Sequence, residues 1–151
     1  MNIPLKFKGD KALFVKIMRF AKTIDEKYPI RFAYLFGSYA RGDNHSNSDI
    51  DLAFYFDKHY SDIEDAFNRG TIIEDGKEFF NKNVDIISLN KASLLLKHEI
   101  IRDGIVVKDF IGRATFESLL MREYFDYKYF SDIYDEKMIK NIKNGNFFEE
   151  D

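Results

Sequence analysis

The chain contains no cysteine and no tryptophan. Without cysteine there is no disulfide framework and no thiolate metal site, which fits a reducing compartment. Proline occurs twice and glycine eight times in 151 residues, too few for a flexible linker, and no internal repeat or low-complexity tract divides the sequence. No apolar run approaches the roughly 20 residues of a membrane span, and the first stretch, MNIPLKFKGDKALFVKIM, holds none of signal-peptide length. The expectation is a soluble, cytoplasmic protein with no membrane partner. A basic excess is missing too. The net charge is −3 and the pI near 5.7, which argues against direct nucleic-acid binding through a broad basic face. A nucleotide pocket is not excluded, because it needs only local positive groups and a metal.

What is present is an ordinary globular composition, 45% hydrophobic and 32% charged, in a chain long enough for a single domain with one core. Leu13, Ile17, Phe20, Ala21 and Ile24 recur at helical spacing within Lys11 to Tyr28, and Pro29 closes that helix. Ile30 to Phe36 reads as a buried strand. The polar stretch Ser38 to Ser48 reads as a turn or short helix and a loop, and Asp49 to Phe56 as a second strand. Ser61 to Phe80 has a helical pattern that Gly70 and Gly76 threaten to break. NVDIISL, Asn83 to Leu89, is a third strand; Lys91 to Asp103 is a short amphipathic helix; IVV adds a little extended structure. The class is therefore α+β or α/β, with three or four strands flanked by helices. The core lies over about 11–110 and a long C-terminal helix over about 113–144, followed by an acidic tail, FFEED, that reads as disordered.

Chemistry concentrates in GSYARGDNHSNSDIDL, Gly37 to Leu52. Side chains at i and i+2 of a strand share a face, so Asp49 and Asp51 project together while Ile50 and Leu52 face the core. Paired carboxylates repel unless a cation lies between them, and oxygen ligands of this kind suit Mg²⁺ or Mn²⁺. Asp85, among Val84, Ile86 and Ile87, is costly to bury unless paired or metal-bound. Beside strand two it completes a triad of the sort that two-metal sites use. Glycine at a strand end permits a sharp turn, and the amides after it suit a phosphate. The Ser38 hydroxyl and the Arg41 guanidinium add donors.

Gly37-Ser38, ten residues, then Asp49-Ile50-Asp51 resembles the G-S-x10-D-x-D signature of the nucleotidyltransferase superfamily that includes DNA polymerase beta. The fuller GSYARGD…SDIDLAF, the short length and the later LLLKHEIIRDGIVVKD before an aromatic-rich helix look like the minimal nucleotidyltransferases, the MNT antitoxins paired with HEPN-domain toxins. That resemblance implies a nucleotidyltransferase-like mixed sheet and transfer of AMP from ATP onto a tyrosine of a HEPN RNase toxin, which silences it. It implies that Gly37 and Ser38 hold the triphosphate with Arg41 and Ser48, that Asp49 and Asp51 bind a two-ion Mg²⁺ or Mn²⁺ site, and that Asp85 is the third, catalytic carboxylate. Asp43 has no assigned role.

Two other readings compete. One is a binding module that neutralises a toxin by occlusion, with a vestigial pocket. The other is transfer to a small molecule such as an aminoglycoside, for which little chain remains to build a second domain; template-directed polymerisation fits the acidic balance least. His45 lies within reach of a phosphate in the motif loop, with a surface position as its simpler reading, and His59 and His98 lack chemical context. Phe116, Leu120, Tyr124 and Tyr127 form a helical stripe for which core packing and a partner surface are both open.

Overall fold

The computed structural model describes residues 3–145. Five helices, α1 (Lys11–Lys27), α2 (Ser38–Arg41), α3 (Asp62–Phe80), α4 (Leu94–Asp103) and α5 (Arg113–Lys143), alternate with four strands, β1 (Ile30–Phe36), β2 (Ile50–Phe56), β3 (Val84–Ser88) and β4 (Ile105–Lys108). The strands form one mixed sheet in the order β3-β2-β1-β4, with β1 antiparallel to β2 and β4, and β2 parallel to β3. The α+β reading holds, and IVV is a true fourth strand. No helix among the described residues is long and apolar enough to cross a membrane.

Strand alternation sends the chain's apolar residues to two cores. Ala33, Leu35, Leu52, Phe54 and Ile86 pack against Phe14, Ile17 and Phe20 of α1 and Ile72 and Phe80 of α3. Phe32, Tyr34 and Ala53 face the other way, against Ile100 of α4 and Phe116 of α5. Asp51 and Asp85 share this second face by parity, at strand ends where the helices leave it partly open: Asp51 is half-buried and Asp85 exposed.

Several boundaries differ from the sequence reading by one to three residues. Strand β2 starts at Ile50, so Asp49 ends the preceding loop. Helix α4 starts at Leu94 because the Ser93 hydroxyl caps it, accepting from the Leu96 amide. Helix α5 starts where it was read and ends one residue earlier, at Lys143. Gly70 and Gly76 do not break α3, which a capping box of Ser61 and Glu64 starts and an αL Asn81 ends. Gly76 is there for space: a Cβ would stand 3.2 Å from both Val84 methyls and 3.3 Å from the Phe20 ring. The FFEED reading lies outside the described residues.

Helix α5 packs one half of its aromatic stripe and exposes the other. Phe116 packs on Phe32 and Tyr55, Leu120 is 3% exposed, and Tyr124 stacks on His98 of α4 with ring centroids 3.5 Å apart. Beyond them Phe125, Tyr129, Phe130, Ile133 and Tyr134 are exposed, Phe130 by 66%. A polar lock fixes the packed half. The Tyr34 hydroxyl donates to Glu117 Oε1 at 2.6 Å, and Arg113 donates to the same oxygen at 2.8 Å and to Asp109 at 2.7 Å. Burial, then the Glu117 contact, pushes the Tyr34 phenol well above its usual range. Tyr34→Phe should therefore lower unfolding free energy by about 1.5 kcal/mol, the value of a hydrogen bond to a charged group, read as an earlier urea midpoint at unchanged slope.

Candidate active site

The sheet register assembles the motif. Because β1 runs antiparallel to β2, its last residue Phe36 lies opposite Asp51, which brings Gly37 against that carboxylate. Because α3 carries the chain back to a parallel β3, Asp85 lies opposite Asp51 on the other side. Ile50, buried between Asp49 and Asp51, donates its amide to Asn83 O at 3.0 Å and fixes where β2 meets the start of β3. Two connections of different kinds thus place Gly37, Asp51 and Asp85 in one row across three strands.

Gly37 has φ 72° and ψ −153°, a region essentially closed to other residues. A Cβ on it would stand 2.1 Å from Asp51 Oδ2, so the backbone and the carboxylate touch only because the residue is glycine. The turn into α2 then leaves the Ser38 and Tyr39 amides without hydrogen-bond acceptors among the described residues, beside the free Ser38 hydroxyl. Burial raises the Asp51 carboxyl to about 6, with Asp85 and then Asp49 adding repulsion and Arg41 opposing it. None of the three carboxylates makes a hydrogen bond or ion pair among the described residues.

Arg41 reaches the site under restraint. Its Nε lies 3.3 Å from Asp43 Oδ2, which gives Asp43 the role that spacing alone did not: it holds the guanidinium two residues back in the chain. Ser48 is buried, and its Oγ accepts the His45 amide at 2.8 Å, pinning the motif loop. His45 is exposed, and its Nδ1 accepts the Asn47 amide at 3.2 Å, so its free donor is Nε2. His98 lies between helices, away from the motif. Lys82, which sequence reasoning missed, donates to Ser46 O at 2.9 Å and ties the loop before β3 to the motif. A lone lysine between two asparagines carries no pattern, so nothing in the sequence announces it.

Among the described residues no three His, Asp or Glu side chains stand gathered tightly enough to hold an ion by themselves. The donor set nevertheless fits a hard divalent cation of the magnesium kind, which takes one or two carboxylates and completes its shell with water and substrate phosphates. A half-buried carboxylate lifted to about 6 by burial and then by its acidic neighbours is the electrostatic mark of a position that lacks positive charge.

Comparison with known proteins agrees with this geometry. The family described as Polymerase beta, Nucleotidyltransferase matches residues 19–109, which include the whole motif and Asp85. The chain is 31% identical over 84 residues to the protein adenylyltransferase MntA of Shewanella oneidensis; the match covers 55% of this chain and spans 58% of the length of that relative. In fold it is similar to a chain of a crystal structure of a toxin–antitoxin with AMP-PNP (TM-score 0.62, 22% identity, 86% of this chain and 98% of that one). It is likewise similar to a chain of the complex of tri-AMPylated Shewanella oneidensis HEPN toxin with MNT antitoxin (TM-score 0.55, 18% identity, 85% and 98%).

Proposed function

Since the chain belongs to the polymerase beta nucleotidyltransferase family, we propose that it is an antitoxin that transfers AMP from ATP to a tyrosine hydroxyl of a cognate HEPN RNase toxin. The observation that carries this reading is the row of Gly37, Asp51 and Asp85 across β1, β2 and β3. Such a row suits a nucleotide with its β- and γ-phosphates at the Ser38 turn and its α-phosphorus over the carboxylates. Gly37, Ser38 and Arg41 hold the triphosphate, with Ser48 supporting the loop that carries them. Asp49, Asp51 and Asp85 hold Mg²⁺ or Mn²⁺, which when bound neutralises charge on the transferring phosphate. Asp85 favours loss of the proton from the incoming hydroxyl. The tyrosine oxygen bonds to the α-phosphorus, the bond to the bridging oxygen breaks, and pyrophosphate leaves; alignment supplies most of the rate.

The adenylyltransferase name of one relative and the tri-AMPylated toxin of another support the substrate and the partner, and repeated transfer with them. The exposed half of α5 is the surface offered to the toxin, because aromatic residues are enriched at interface hot spots. Removing the helix from Gly112 would strip Phe116 and Leu120 from the core, so the informative cut follows Tyr124. That truncation should keep the fold by circular dichroism and weaken toxin binding at least about tenfold. Transfer itself is tested with ATP labelled at the α- or γ-phosphate, Mg²⁺ and the HEPN protein. Label from the α-position alone on the toxin supports nucleotidyl transfer; label from the γ-position, or none, overturns it.

A further inference from the structure

Behind α2, on the α1 side of the sheet, lies a cavity of about 780 Å³. Asp51 and Asp85 project from the opposite face, and neither lines it. Its size falls within the roughly 300–1,000 Å³ of small-molecule sites. The walls divide by chemistry. Leu13 and the Tyr39 ring offer apolar surface, and Asn44 supplies an amide that both donates and accepts. Lys16, Lys82 and His45 supply donors, two of them ammonium groups.

These donors are largely uncommitted. Lys16 has no hydrogen bond or ion pair among the described residues; its ammonium lies 6.0 Å from the Phe79 ring centroid. Lys82 spends one of three donors on Ser46 O and has no carboxylate partner among the described residues. His45 accepts the Asn47 amide at Nδ1, which leaves Nε2 as its free donor. Asp10, the one acidic residue on the wall, has Oδ1 engaged by the Ala12 amide at the start of α1. Two lysines therefore stand against one carboxylate, in a chain whose net charge is −3. A phosphomonoester, with a charge of about −1.5 to −2 at pH 7, matches such a wall through charge-assisted hydrogen bonds. Bare phosphate would leave Leu13, Tyr39 and Asn44 unused, whereas a nucleoside monophosphate engages all three.

We propose that this cavity is an effector site for a nucleoside monophosphate, separate from the site of transfer. The phosphate lies against Lys16, Lys82 and His45 Nε2, and the base lies along Leu13 and Tyr39 with its edge on Asn44. The cavity touches both halves of the transfer site from behind. Tyr39 is the second residue of α2, and its amide is one of the two left free at the phosphate-grasping turn. His45 and Ser46 belong to the loop that ends at Asp49. Ser48 Oγ accepts the His45 amide at 2.8 Å, and the Ser48 amide donates to His45 O at 3.0 Å. A ligand held by His45, Lys82 and Tyr39 therefore favours the loop and turn positions that align Asp49 with Ser38. On the transferase reading above, on which this coupling rests, occupancy lowers the KM for ATP with Mg²⁺. By linkage, ATP with Mg²⁺ tightens binding of the effector.

Calorimetric titration of the full-length protein with AMP and with GMP in EDTA tests the site, because without Mg²⁺ the carboxylate row repels a phosphate. At least one nucleotide should bind, about tenfold or more tighter than orthophosphate or its own nucleoside. Lys16 is exposed, so Lys16→Ala should stay folded. It should weaken that binding roughly tenfold or more, the loss expected for a charge-assisted contact, with Lys16→Arg restoring it. Ser38→Ala should leave the binding unchanged. No binding of either nucleotide, equal binding of orthophosphate, or binding that Lys16→Ala leaves intact overturns the site. With ATP, Mg²⁺ and the HEPN toxin, the bound nucleotide should lower the KM for ATP roughly fivefold or more. Lys16→Ala should match the wild type without effector and lose this response. A KM that the nucleotide leaves unchanged or raises overturns the coupling. Failure of the wild type to transfer any AMP removes the transferase reading and the coupling together, and the metal-free titration still decides the site.

Discussion

Asp51→Asn is expected to lower AMP transfer by roughly a thousandfold or more, since a lost metal-borne charge interaction is worth several kcal/mol in the transition state. The same substitution is expected to raise the melting temperature of the metal-free protein at pH 7. The gain in stability follows from the electrostatics of the site. Burial and the charges of Asp85 and Asp49 lift the Asp51 carboxyl from 3.8 to about 6, so at neutral pH the fold holds an ionised group that it disfavours. The sign of the pH dependence is fixed by linkage. Between about pH 4 and 6 the native protein binds a proton at Asp51 that the unfolded chain has released. The destabilisation is therefore absent below the unfolded value and fully developed above 6. Melting wild type and Asp51→Asn side by side isolates this group from the other carboxylates. The wild type should gain on the variant as pH falls from 7 towards 4, and added Mg²⁺ should narrow the gap at pH 7 by supplying the missing charge. A site whose demands oppose the stability of its own fold is the usual mark of function.

Gly37→Ala is the second large expectation. The backbone there is in a region reserved for glycine, at a cost of about 1–3 kcal/mol to any other residue. The new Cβ would also overlap Asp51 Oδ2, 2.1 Å away. Displacing that carboxylate or the turn adds about 1–3 kcal/mol of overpacking strain. The variant should lose about 2–6 kcal/mol of stability, and whatever remains folded should transfer no AMP, because turn and carboxylate cannot both keep their places. Ser38→Ala, which removes a hydroxyl and no backbone donor, should keep full stability and lose only the contact. Urea unfolding and the transfer assay together separate the two variants.

The row that carries the site was legible in parts. Gly37, Asp49 and Asp51 could be read from spacing, because a strand's two-residue period decides which side chains share a face. Asp85 stood out because a carboxylate among branched apolar residues is expensive to bury, yet it lies exposed on the edge strand β3, as an edge-strand aspartate facing water would, and does not bear that cost. Its position opposite Asp51 was not legible, since strand order is set by how α3 packs between α1 and β3 and not by any local signal. Gly76 shows the same limit from the other side. Read locally it breaks a helix; in the fold it lets that helix approach Val84 and Phe20. Asp43 and Lys82 were invisible as support because each acts through another group, the Arg41 guanidinium and the Ser46 carbonyl. The division of α5 into a packed and an exposed half was equally closed to periodicity. The stripe is continuous, and only the extent of α4 decides where burial stops.

The most direct test is the intact mass of the cognate HEPN toxin after incubation with ATP, Mg²⁺ and this protein, beside the same reaction with Asp49→Asn and with Asp51→Asn. The account predicts whole AMP increments on a toxin tyrosine with the wild type and an unmodified toxin with either variant, both variants remaining folded and able to bind the toxin. Normal transfer by both variants would contradict the assignment of these carboxylates. An unmodified toxin held in a tight complex with the wild type would contradict the enzyme itself and leave an antitoxin that acts by occlusion.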